Sequence, residues 1–140
     1  MEPRVSYLVG TLDRVLRRRL GDALEPHGLS LPEYTTLSVL HFRSGLSNAQ
    51  LARRSLITPQ AMNEVLKRLE RRGLVRRRAD PGHGRVRPAA LTAAGTALLG
   101  AADASVDAVE RAMLGGAGAA NGESLRAQLE LALRGLDGSA

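Results

Sequence analysis

The 140-residue sequence contains no cysteine. Disulfides, thiol redox switches and cysteine-ligated metal sites are therefore excluded. Aromatic side chains are nearly as scarce: Tyr7, Tyr34 and Phe42 are the whole complement, and there is no tryptophan. RNA recognition that stacks bases on aromatic platforms fits such a chain poorly. No run of about 18 consecutive apolar residues occurs, so no membrane-spanning helix is expected. The opening Met1-Glu2-Pro3-Arg4 does not lead into a secretory core, because Asp13 and Arg14 interrupt it. A cytoplasmic protein is the expectation, and one domain of this length buries roughly 70% of its unfolded surface.

Signs of catalysis are also missing. The histidines His27, His41 and His83 show no metal-ligand spacing such as His-Glu-x-x-His. There is no phosphate-binding Walker loop and no nucleophile elbow. The glycine-rich run from Gly115 to Gly122 lacks the strand and lysine that a phosphate cradle needs, and reads as a linker. The expectation is a protein that is not an enzyme, with no metal and no cofactor.

What the chain does have is arginine, concentrated in one place. Residues 41–91 hold twelve Lys or Arg against three acids, Glu64, Glu70 and Asp80, a balance of +9. The rest holds eight against eleven, a balance of −3. A compositional preference for arginine explains why Lys67 is the single lysine, but not the clustering. A confined positive segment is the electrostatic footprint of a polyanionic partner.

Within that segment, Ser47-Asn48-Ala49-Gln50 is a capping box, in which hydroxyl and amide satisfy free N–H groups at a helix start. It predicts a short helix to about Arg54. Thr58-Pro59 predicts a second start, with Thr58 as N-cap and proline at the first helical position. This second helix runs to Arg72 and ends at Gly73. Met62, Val65, Leu66 and Leu69 fall on one stripe that should face a core. Gln60, Glu64, Lys67 and Arg71 fall opposite, with Asn63 on the flank. Two short helices joined by a tight turn form a helix-turn-helix, whose second helix enters a DNA major groove. Leu74 to Ala79, the turn Asp80-Pro81-Gly82-His83-Gly84, and then Arg85-Val86-Arg87 predict a two-stranded ribbon with a basic tip. Helix-turn-helix plus ribbon is a winged helix.

The run Leu69-Glu70-Arg71-Arg72-Gly73-Leu74-Val75, followed by Asp80-Pro81, Arg85 and Leu91-Thr92-Ala93-Ala94-Gly95, resembles the MarR family of bacterial transcriptional regulators. The chain departs from the family pattern at His83, where an aspartate is usual. It also carries Pro88 inside the second wing strand, where proline cannot donate to a ladder and the strand must be edge, short or bulged. The resemblance implies a first helix that joins the last two in a dimerisation region, and a homodimer on a pseudo-palindromic operator in double-stranded DNA. It also implies a small aromatic effector; without cysteine, the thiol-oxidation branch of the family is excluded.

In chain order, Val5, Leu8, Val9, Leu12, Leu16 and Leu20 predict an amphipathic helix over about 5–24. A second opens near Pro32 and carries Tyr34, Leu37, Val39, Leu40 and Phe42. After the wing, Thr92 caps a long helix bearing Leu98, Leu99, Ala102, Val106, Val109 and Met113. The glycine run is expected to interrupt it as a joint, before a last helix from about Glu123 to Leu136.

The expected fold is mainly α with a small β-wing: a winged helix-turn-helix over 29–91, an N-terminal dimerisation helix over 1–28 and C-terminal dimerisation helices over 92–140. The expected function is a dimeric repressor that reads DNA sequence and is relieved by a small ligand. Thr58, Gln60, Ala61 and Asn63 would face base edges; Ser47, Arg54, Ser55 and Lys67 would approach phosphates; Arg85 and Arg87 would form the wing contact. Following the resemblance, Tyr7, Tyr34, His41 and Arg43 would line an effector site. The alternatives are a winged-helix module that docks protein without reading DNA sequence, and a small enzyme or metal sensor using the histidines.

Overall fold

The computed structural model describes residues 1–79, 86–115 and 118–137, with the side chains of 78, 79, 86, 87 and 118–121 left aside. Helix α1 spans Val5–Leu24 and passes through a single 3-10 turn, Glu25–His27, into α2, Leu31–Phe42. Helices α3, Asn48–Arg54, and α4, Pro59–Arg71, follow. Strands β1, Val75–Ala79, and β2, Val86–Leu91, form an antiparallel two-stranded sheet. Helices α5, Ala93–Met113, and α6, Gly118–Asp137, complete the chain. The architecture is the expected one, mainly helical with a small wing.

Starts are set by side chains. Ser30 caps α2 through a full capping box: its hydroxyl accepts from the Glu33 N–H at 3.3 Å and Glu33 accepts from the Ser30 N–H at 2.9 Å. The Ser-x-x-Glu spacing carried that signal in the sequence, beside the proline. At the other junction, Thr92 Oγ1 accepts from the Gly95 N–H at 3.0 Å and donates to the Gly73 carbonyl at 2.6 Å. One threonine thus starts α5 and holds it against the end of α4. Gly73 itself terminates α4 with φ 72, a left-handed conformation that glycine adopts without a Cβ clash.

The chain divides into two compact units, residues 1–106 and 107–140. The core lies in the first. Leu24 and Leu29, Leu37 and Leu40 of α2, Leu51 and Ala52 of α3, and Met62, Val65, Leu66 and Leu69 of α4 are buried together with Leu74, Val75, Ala89, Leu99 and Ala102. The predicted apolar stripe of α4 is its buried face, residue for residue. In α1 only Leu24 is buried; Val5, Leu8, Val9, Leu12 and Val15 stand exposed.

Two expectations meet a modified outcome. The register of the wing shifts between Arg77 and Ala79, opposite Arg87 and Pro88. The missing proline N–H breaks the ladder where the sequence placed it. The glycine-rich joint is shorter than expected: α6 starts at Gly118, not near Glu123. Ala119 and Ala120 are strong helix formers and extend the helix back through that run. Among the described residues, no helix is long and apolar enough to cross a membrane, and no three His, Asp or Glu side chains converge as a metal site.

Candidate nucleic-acid interface

The interface is built on two helix starts. Ser47 Oγ accepts from the Gln50 N–H at 3.2 Å and Gln50 Oε1 accepts from the Ser47 N–H at 2.9 Å, which fixes the first turn of α3. Thr58 Oγ1 accepts from the Ala61 N–H at 3.1 Å, with Pro59 at the first position of α4. Asn48 Nδ2 donates to the Pro59 carbonyl at 3.3 Å and ties the two starts together. Because Met62, Val65, Leu66 and Leu69 are committed to the core, Gln60, Ala61, Asn63, Glu64 and Lys67 are turned outward. Ser47, Arg54 and Thr58 are exposed beside them. The predicted readers therefore share one accessible face at the start of α4.

Lys67 forms an exposed pair with Glu64 at 3.6 Å. Such pairs contribute at most about 1 kcal/mol, so a phosphate can displace the glutamate. Two other arginines of the basic segment have structural partners. Arg72 donates to the Gly28 carbonyl at 2.7 Å and lies 3.6 Å from buried Glu33, linking the end of α4 to the turn before α2. Arg77 of β1 pairs with Glu70 of α4 and fixes the wing root on that helix. Nothing in the spacing of the arginines distinguished these two fasteners from the exposed Arg53, Arg54, Arg68, Arg71 and Arg76.

Ser55 is placed differently from the expectation. It is 7% exposed and its Oγ is buried without a partner, because the chain turns it under the α3–α4 bend. Its hydroxyl does not reach the surface that Arg54 shares. Arg85, His83 and the Asp80–Gly84 turn lie outside the described residues, as does the side chain of Arg87.

The four residues assigned to an effector site lie on α1 (Tyr7), on α2 (Tyr34 and His41) and directly after α2 (Arg43). The Tyr34 hydroxyl donates to Asp103 of α5 at 2.5 Å, since a part-buried phenol needs an acceptor. His41 meets Phe42 edge to face, with ring centroids 5.2 Å apart, and Tyr7 and Arg43 are exposed. A cleft of about 340 Å³ lies beside the end of α2, lined by Leu40, Ser44, Arg76, Pro88 and Leu91 among others.

Residues 27–86 match the model of the MarR family. The HTH-type transcriptional repressor Rv2887 of Mycobacterium tuberculosis (strain ATCC 25618 / H37Rv) is 46% identical over 110 residues, which is 79% of each chain. A crystal structure of Rv2887 in complex with DNA is 40% identical and superposes with a TM-score of 0.76, covering 92% of this chain and 97% of that one. A complex of Rv2887 with p-aminosalicylic acid is 41% identical with a TM-score of 0.78, covering 91% and 97%.

Proposed function

The chain belongs to the MarR family, and we propose that it is a homodimeric repressor that reads a pseudo-palindromic DNA site and releases it on binding a small aromatic acid. The observation that carries this reading is the face of α4: Gln60, Ala61, Asn63 and Lys67 exposed behind a Thr58 cap, inside the one segment of strong positive charge. In this reading residues 29–91 hold DNA, while 1–28 and 92–140 hold the partner copy. The likeness to Rv2887, which has been crystallised with DNA and with p-aminosalicylic acid, supports both ligand classes. Such a regulator works in the cytoplasm, where its DNA is. An effector acts only through unequal affinity for the DNA-competent and DNA-incompetent arrangements.

Thr58, Gln60, Ala61 and Asn63 face base edges in this reading, and Ser47, Arg54 and Lys67 approach phosphates. Asn and Gln match adenine bidentately. Replacing Asn63 by alanine is expected to relax preference at one base pair by about 1–3 kcal/mol, seen in the binding-site profile. A profile identical to wild type would remove Asn63 from the readout. Arg85, with Arg87, supplies the wing contact. Arg85→Ala should weaken binding to all sequences and lower the slope of log K against log salt by about one unit. Equal affinity of variant and wild type across several salt concentrations would refute that role.

The deciding experiment is selection from a random-sequence duplex pool at near-physiological salt. Enrichment of a pseudo-palindrome with half-sites about 10 bp apart is the expected result. Binding that enriches nothing and vanishes as salt rises would replace this reading with a winged-helix module that docks protein.

A further inference from the structure

We propose that Leu56, at the bend between α3 and α4, is an apolar contact to DNA at the rim of the groove that α4 enters. The inference rests on the DNA-binding reading above. Among the described residues Leu56 is the only one other than glycine with a positive φ, 58°. That conformation crowds a Cβ against the following carbonyl, and glycine or asparagine usually occupies it. Leu56 gains nothing from the protein in return. It is 84% exposed, while Ser55 before it is buried and Ile57 after it packs against the core.

The bend does not depend on this side chain. It is closed by backbone bonds, from the Leu56 N–H to the Arg53 carbonyl at 3.2 Å and from the Ile57 N–H to the Ala52 carbonyl at 3.1 Å. Asparagine would make the same bonds with less strain. A strained, exposed leucine that neither shapes the turn nor fills the core points to a use outside the chain. Its place indicates the use. It sits between exposed Arg54 and the Thr58 cap, four residues before Gln60. A segment just ahead of a helix that enters the major groove meets the wall of that groove. A leucine offers no hydrogen bond to phosphate. It matches the C–H surface of deoxyribose or the methyl group of thymine. Either contact releases no counterion, which separates it from the arginine contacts around it.

The test compares wild type, Leu56→Asn and Leu56→Met on the selected duplex at several salt concentrations, with thermal melts of each protein. Leu56→Asn is expected to raise Tm by about 2–4 °C by relieving the left-handed strain. It should weaken binding roughly three- to tenfold with an unchanged salt slope. Leu56→Met, still apolar, should keep wild-type affinity. A loss common to all sites assigns the contact to deoxyribose, and a loss confined to sites with thymine at one position, mimicked by uracil, assigns it to the methyl group. Both support the proposal. Equal affinity of Leu56→Asn and wild type, or a loss in Leu56→Met as large as in Leu56→Asn, overturns it. Failure of the wild type to select any duplex would instead refute the DNA-binding reading, and this inference with it.

Discussion

Gly95→Ala is expected to destabilise the protein by about 2–4 kcal/mol, although alanine is the best helix former and Gly95 lies in the first turn of α5. At an open helical site the same change stabilises by about 1 kcal/mol. Here a Cβ would stand 2.1 Å from the Leu74 carbonyl oxygen and 3.0 Å from its carbon. Both are backbone atoms, so no side-chain rotation relieves the clash. The Leu74 carbonyl also accepts from the Thr92 N–H at 3.1 Å, and Leu74 is itself buried. Alanine must therefore push the start of α5 away from the root of β1, and the Thr92 bonds to Gly73 and Leu74 go with it. Urea denaturation at matched protein concentration measures the change, with Gly100→Ala as reference, since nothing lies within 4 Å of a Cβ at Gly100. A Gly95→Ala protein as stable as wild type would show that α5 slides freely on the wing root.

The same glycine shows how much could be read from the sequence. Leu-Thr-x-x-Gly marked a helix start through its threonine, and α5 begins at Ala93, directly after that cap. Why the fifth residue is glycine was not legible, because the obstacle, Leu74, lies 21 positions earlier in the chain. Local signals carried well: both caps of the helix-turn-helix, the buried stripe of α4, the end at Gly73 and the ladder break at Pro88 are all marked by residue types within a few positions of one another. What was not legible depends on distant partners. Arg72 and Arg77 looked like any other basic residues until Gly28, Glu33 and Glu70 were brought to them. Ser55 looked like a phosphate contact until the bend turned it inward. The bond from the Tyr34 hydroxyl to Asp103, 69 residues away, was equally invisible in the sequence. The start of α6 was misjudged for another reason: glycines were given weight as breakers, while the intervening alanines favour helix.

The double substitution Leu8→Asp/Leu12→Asp should turn a dimer into a folded monomer and lower affinity for the full operator about 10²- to 10⁴-fold. Within the single chain these side chains are uncovered: Val5 is 77% exposed, Leu8 51% and Leu12 40%. Leu8 and Leu12 are one turn apart on α1 and well before buried Leu24, so their shared stripe can be altered without touching it. The core of residues 1–106 does not include them, and helicity by circular dichroism should stay at the wild-type level. A second copy that covers the stripe would have to bury four carboxylates, two from each chain, without partners, which disfavours association strongly. The DNA effect follows from linkage. A dimer holding one half-site presents its other α4 to the second half-site at an effective concentration set by the rigid pair, and a monomer loses that gain, about 10²- to 10⁴-fold. Sedimentation equilibrium and titration of a full operator against a single half-site separate the outcomes. A monomer with unchanged half-site affinity and weakened operator affinity supports an α1-mediated dimer. A variant that remains dimeric would place the interface elsewhere, and a monomeric wild type that holds the operator tightly would refute the dimer itself.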